Sequence, residues 1–158
     1  TRPSGPVLVI AADTVVEIGG SIMGKPEDKV DAERMLTMLS GQSHRVVTGM
    51  AVGLIEPSSG DGVGPTHVVS GRDTTVVSFR TLEPELIDWY VGAGEAFDKA
   101  GAYGIQGKGS LLVDRVDGSY LNVVGLPVVA LDNLCRPLGW PLHRLATAAS
   151  PADAEVGV

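Results

Sequence analysis

Near its start the chain carries a short run of apolar, largely β-branched residues, Pro6-Val7-Leu8-Val9-Ile10-Ala11-Ala12, that stops abruptly at the charged Asp13. A run of that length and composition is expected to form a strand buried on both faces. Thr14-Val15-Val16-Glu17-Ile18 and Ser21-Ile22-Met23 then flank Gly19-Gly20, a pair that supplies the positive φ angles of a tight hairpin turn, and Gly24-Lys25-Pro26 ends the hairpin. From Glu27 to Leu39 the apolar Val30, Met35, Leu36 and Leu39 recur at helical spacing among charged positions, with Ser40-Gly41 as a stop.

Two β-prone stretches follow, His44 to Glu56 and His67 to Arg80, dominated by Val, Thr and Ile. Between them residues 57–65 are polar and turn-rich, as a mobile hairpin connection would be. A second helix is expected over Glu83 to Val91, where Pro84 and the acids suit a helix start, and Gly92 and Gly94 end it. A glycine-rich stretch through Gly109 leads to a strand over Ser110 to Val116, and a last helix begins after Gly125-Leu126-Pro127. The pattern predicts an α/β fold in a single domain over residues 1–145, with residues 146–158 as a disordered tail.

At 158 residues the chain is long enough to bury a sizeable core. The lone cysteine, Cys135, cannot form an intrachain disulfide and reads as a small apolar helix residue, and no apolar run reaches membrane-spanning length or forms a signal peptide. A cytoplasmic protein with no membrane partner is the expectation. A net charge of -7 argues against a nucleic-acid partner, which calls for a basic patch. A small anionic substrate stays compatible with that charge if lysines or a bound metal reverse the sign within one cleft.

Asp13, at the end of a strand, is where α/β proteins often keep a catalytic group, although an aspartate there also caps turns. Lys25 lies one hairpin away, so the returning chain can bring its ammonium near that carboxylate; the alternative is a solvated turn lysine. Gly94-Glu95 and Asp98-Lys99 set acids and a base beside Gly101, Gly104, Gly107 and Gly109, which allow close backbone approach to a ligand or merely form a solvated turn. His44, His67 and His143 lack metal-ligand spacing and read as sheet or surface residues. Trp89, Tyr90 and Trp140 read as core or dimer-contact residues.

Several of these segments fall in a recognisable order. Ala12-Asp13-Thr14-Val15-Val16, Gly24-Lys25-Pro26, Leu39-Ser40-Gly41 with His44 and Val47-Thr48-Gly49, Phe79-Arg80 and Tyr90 come first. The segment from Gly94-Glu95 and Asp98-Lys99 to Ala100-Gly101-Ala102-Tyr103-Gly104-Ile105-Gln106-Gly107, and then Asn122-Val123-Val124-Gly125-Leu126-Pro127, complete it. Over most of residues 8–127 the chain thus resembles the Maf family of nucleotide pyrophosphatases. The resemblance implies an elongated α/β fold like that of the house-cleaning inosine-triphosphate pyrophosphatases, a mixed sheet with flanking helices and a central cleft, and frequent homodimers. It also implies hydrolysis of a nucleoside triphosphate to the monophosphate and pyrophosphate.

On the same basis Asp13 is the expected general base or metal holder, Lys25 neutralises triphosphate charge, and Glu95 and Lys99 are candidates for metal and phosphate contacts. The cofactor would be a divalent cation, Mg²⁺ or Mn²⁺, held by carboxylates and substrate phosphates. Thr14 and Gln106 occupy positions that help choose the base, and their combination is similar to the branch acting on dTTP and UTP rather than 7-methyl-GTP. A glutamine amide, with donor and acceptor, suits the imide edge of uracil or thymine.

One departure stands out. Family members open with a strand and a Ser-x-Ser-Pro-Arg-Arg segment, for which Arg2-Pro3-Ser4 is no substitute. A chain complete as given would be expected to have an exposed sheet edge and a weakened phosphate site. A truncation, an alternative start or a misassigned first codon would each account for this. The competing functional expectation is a non-catalytic nucleotide-binding or cell-division-regulating protein of the same fold, and a third is a structural fragment that dimerises through its edge.

Overall fold

The computed structural model describes residues 5–56 and 65–148. Most of the expected loop at 57–65, the segment Arg2-Pro3-Ser4 and the expected tail beyond residue 148 lie outside the described residues. Five strands, β1 (Val7–Ile18), β2 (Ser21–Met23), β3 (Ser43–Ile55), β4 (His67–Phe79) and β5 (Val113–Asp117), form one sheet in the order β2-β1-β3-β4-β5. Helices α1 (Lys29–Leu39), α2 (Pro84–Gly92), α3 (Tyr120–Val124), α4 (Val128–Cys135) and α5 (Leu142–Ala148) accompany it, giving the expected α/β class.

The strand pairing is antiparallel wherever its direction can be read. β1 meets β2 with Val16 opposite Met23, and β4 meets β5 with Val77 opposite Val116. Between β1 and β3, Thr14 bonds Thr48 while Glu17 pairs with Arg45, so one strand's numbers rise as the other's fall. The β1–β2 turn has Gly19 and Gly20 at φ 57° and 85°, the double left-handed turn that suits the strand twist.

Within the stretch expected to be a single domain, two compact units form, one of Thr1–Ala11, Met50–Gly71 and Val129–Val158, the other of Ala12–Gly49 and Arg72–Val128. The first packs Met50 and Val52 of β3 against Leu131 and Cys135 of α4, with Leu8 and Val69 at the margin. Cys135 is fully buried, and that burial pushes its thiol pKa up. The second holds the larger core, where Ala32, Met35, Leu36 and Leu39 of α1 meet Val16, Val46, Val77 and Phe79 of the sheet and Ile87, Tyr90 and Val91 of α2. Among the described residues no helix is long and apolar enough to cross a membrane.

Four expectations change in detail. The strand ending at Asp13 and the hairpin strand after it are one continuous β1, so Asp13 sits in mid-strand. Residues 9–13 of that strand are exposed, not buried on both faces, because a strand's faces are buried only where other layers cover them. Helix α1 starts at Lys29, capped by the Asp28 carboxylate on the Asp31 amide at 2.8 Å, and its buried stripe uses Ala32 in place of the 73% exposed Val30. The strand expected from Ser110 begins at Val113, since the Ser110 hydroxyl donates to the Gly107 carbonyl at 2.7 Å and holds residues Gly107–Leu111 in a 3₁₀ turn.

His44 lies in the second core with its ring edge-on to Phe79 and Tyr103, and its Nε2 is 2.7 Å from the Tyr103 hydroxyl. Burial pushes its imidazole pKa down from 6.5 to about 4, so the folded state keeps the ring neutral where the unfolded chain would protonate it. Stability from this site is fully present above 6.5 and is lost as pH falls toward 4. We expect about 2 kcal/mol of stability to disappear between pH 7 and pH 5 through this residue. Urea unfolding of the wild type and a His44→Phe variant at the two pH values should show a smaller difference in the variant.

Candidate active site

A cleft of about 580 Å³ opens in the unit formed by Ala12–Gly49 and Arg72–Val128. Its wall draws on residues 12–16 of β1, Gly24 and Lys25 after β2, residues 98–100 and 103–106, and Val123, Val124 and Gly125 at the end of α3. Asp13, Thr14, Lys25, Lys99 and Gln106, far apart in sequence, therefore share one cleft.

Backbone geometry makes that meeting possible. The hairpin returns the chain to Gly24, whose carbonyl accepts the Gly101 amide at 2.9 Å. Gly101 has φ 69°, and a Cβ there would fall 3.0 Å from a methyl of Val16, so the loop can lie on β1 only without a side chain at this position. Farther along, the Tyr90 hydroxyl accepts the Gly104 amide at 3.1 Å and ties the loop to α2. Gly109 closes the turn, since a Cβ there would collide with the Gly104 carbonyl.

Charge in the cleft is balanced even though the chain is acidic. Lys25 and Lys99 share the wall with Asp13 and Asp98, and Lys99 Nζ lies 2.7 Å from Asp98 Oδ1. That hydrogen bond, helped by the charges of Lys99 and Lys25, holds the Asp98 carboxyl below its usual range. One oxygen of Asp13 accepts the Thr14 amide at 2.9 Å, which limits the carboxylate's rotation. Glu95, expected beside Asp13 as a second metal ligand, is not among the residues of the cleft wall. Its carboxylate accepts the Lys108 amide at 3.2 Å and so holds the turn that follows Gln106.

The residues present set limits on a metal. Among the described residues no group of three or more His, Cys, Asp or Glu side chains is arranged to hold an ion. The carboxylates of the wall, Asp13 and Asp98, are hard oxygen donors that would suit a hard cation completed by substrate phosphates and waters.

Behind the wall lies a buried polar network. The Thr14 hydroxyl is 2.8 Å from that of Thr48 and 3.5 Å from the Gly125 carbonyl, while Thr48 donates to the Asn122 carbonyl at 3.4 Å. The Asn122 amide donates to the Val46 carbonyl at 2.9 Å and to the Thr75 hydroxyl at 3.0 Å, and Thr75 exchanges hydrogen bonds with the Ser119 backbone. Asn122, Thr48 and Thr75 are fully buried. Thr48 and Asn122 stand within sequence motifs, but nothing in those motifs alone gives either a role. A signal was available in the alternation of β3, where Val46, Met50 and Val52 share the inward parity of Thr48 and require a polar residue there to have partners.

The Maf-like protein family matches residues 2–138, and this chain belongs to that family. It is 45% identical over 137 residues to a dTTP/UTP pyrophosphatase of Pyrococcus furiosus, covering 87% of this chain and 66% of that protein. A dTTP/UTP pyrophosphatase of Moorella thermoacetica is 48% identical over 132 residues, covering 84% of this chain and 64% of the relative. A human protein described as a probable bifunctional dTTP/UTP pyrophosphatase/methyltransferase is 48% identical over 133 residues, 84% of this chain and 21% of the longer protein. The chain thus spans just under two thirds of the length of the two microbial relatives.

Removing the centre of the buried network should be costly. Asn122→Ala strands the Val46 carbonyl and opens a small cavity, for an expected loss of about 3 kcal/mol, read as a lowered urea midpoint with unchanged slope.

Proposed function

We propose that the protein hydrolyses nucleoside triphosphates, with dTTP and UTP as the favoured substrates, to the nucleoside monophosphate and pyrophosphate. The observation that carries this reading is the convergence of Asp13, Thr14, Lys25, Lys99 and Gln106 on one cleft. The names of the relatives point the same way. The substrate is a small-molecule nucleotide rather than a nucleic acid, and the single buried Cys135 suits the cytoplasm. Homodimerisation belongs to the same proposal.

In this reading Asp13 orients a water toward the α-phosphorus and takes its proton as the new P–O bond forms. The bond from that phosphorus to the bridging oxygen breaks, and pyrophosphate leaves. Lys25 and Lys99 supply positive charge against the phosphates, which matters because phosphoryl transfer depends on positioning and charge neutralisation more than on covalent help. A divalent cation, Mg²⁺ or Mn²⁺, held by Asp13 and the substrate phosphates, would further neutralise charge at the leaving group. Glu95 acts at one remove, by fixing the Gly107–Lys108 turn next to Gln106.

The fold-preserving alternative, a nucleotide binder without turnover, differs in one measurable respect. Pyrophosphate release from dTTP or UTP with Mg²⁺ should be readily detected for the wild type and fall by at least about 100-fold in Asp13→Asn, whose amide cannot accept the proton. Binding of a non-hydrolysable analogue without turnover by the wild type would favour the alternative, and equal rates in the two proteins would defeat the role given to Asp13.

A further inference from the structure

Thr48 is absent from the cleft wall, but its hydroxyl lies 2.8 Å from that of Thr14, which is part of the wall. A hydroxyl has one proton to give, and around Thr14 that proton has two partners inside the protein, the Thr48 oxygen at 2.8 Å and the Gly125 carbonyl at 3.5 Å. If Thr14 donates to Thr48, Thr48 passes its own proton to the Asn122 carbonyl. If the bond runs the other way, Thr14 accepts from Thr48 and its proton goes to Gly125. The first chain has the short Thr14 step, 2.8 Å against 3.5 Å, and leaves Thr14 with a lone pair for the cleft.

We infer that Thr48 is a specificity-positioning residue: by holding the Thr14 proton inward it makes the cleft wall a hydrogen-bond acceptor at that point, selecting a pyrimidine base that presents a proton on N3. This rests on the nucleotide reading above and narrows it. Uracil and thymine carry a proton on N3 and cytosine has a lone pair there, so a Thr14 acceptor that meets N3 favours the first two and repels the third. Asn122 fixes the far end of the relay, with both of its amide bonds made to buried oxygens of β3 and β4. A hydroxyl with a single weak internal partner would turn to suit either base.

The test is base selectivity, measured with the full-length protein as the ratio of kcat/KM for UTP to that for CTP, and in parallel as the ratio of affinities for their non-hydrolysable analogues. Thr48→Val keeps the shape of the buried side chain and removes the relay, and it should lower both ratios about tenfold, the worth of roughly one hydrogen bond. Thr48→Ser, which restores the hydroxyl, should return them to the wild-type value. A merely structural residue would slow both nucleotides alike, and unchanged ratios in Thr48→Val overturn the inference, as would a wild type that prefers CTP. Should Thr48→Val fail to fold, Thr14→Val on the half-buried wall removes the acceptor itself, and an unchanged ratio there is equally fatal. A wild type that selects the uridine analogue in binding but releases no pyrophosphate would sink the proposed reaction and leave this inference standing.

Discussion

The approach of Gly101 to Val16 is the constraint on which the cleft depends. A residue with no side chain, in the left-handed region, lets the loop from 98 to 106 rest on β1 and lets its amide reach the carbonyl of Gly24. That contact brings Lys99 and Gln106 to the strand that carries Asp13 and Thr14, while the hairpin brings Lys25. Ala102, next in the chain, is buried at φ 62°, a conformation that costs a residue with a Cβ about 1 kcal/mol and persists only because its surroundings hold it. The strained Ala102 and the close-packed Gly101 therefore both lie in the loop that shapes the cleft.

Much of this was readable from residues alone. The Gly19-Gly20 turn, the stripe of α1 and the Pro-initiated α2 follow from local rules, since each rests on contacts within a few positions. Burial of β1 was not readable, because an apolar run is the same whether or not another layer covers it, and residues 9–13 are exposed. Helix α3 also escaped notice, as its five residues are too few to show a period, although Ser119 caps it and Gly125 ends it at φ 119°. The candidate site shows the same division. Asp13, Thr14, Lys25, Lys99 and Gln106 came through their motifs, while Asp98's pairing with Lys99 and the Thr48–Asn122 relay depend on partners across the fold.

Polar groups in the second core do more than fill it. His44, Tyr103, Thr48, Thr75 and Asn122 are all buried, and all but two of their buried side-chain polar atoms have partners, the exceptions being His44 Nδ1 and Asn122 Oδ1. Apolar replacements could match these residues in volume, but they could not orient a hydroxyl on the wall. The network links packing to chemistry, because one set of hydrogen bonds both holds β3, β4 and α3 in register and sets the polarity of Thr14.

The even charge balance of the cleft has a kinetic meaning. With two lysines set against two aspartates in the cleft wall and a chain total of -7, the charge summed over the chain repels a distant polyanion. Encounter with such a ligand should consequently quicken as added electrolyte shortens the reach of that repulsion, the reverse of a basic site that draws anions from afar. A site of this kind rejects stray phosphates at a distance and recognises its ligand only on close contact, when individual groups meet.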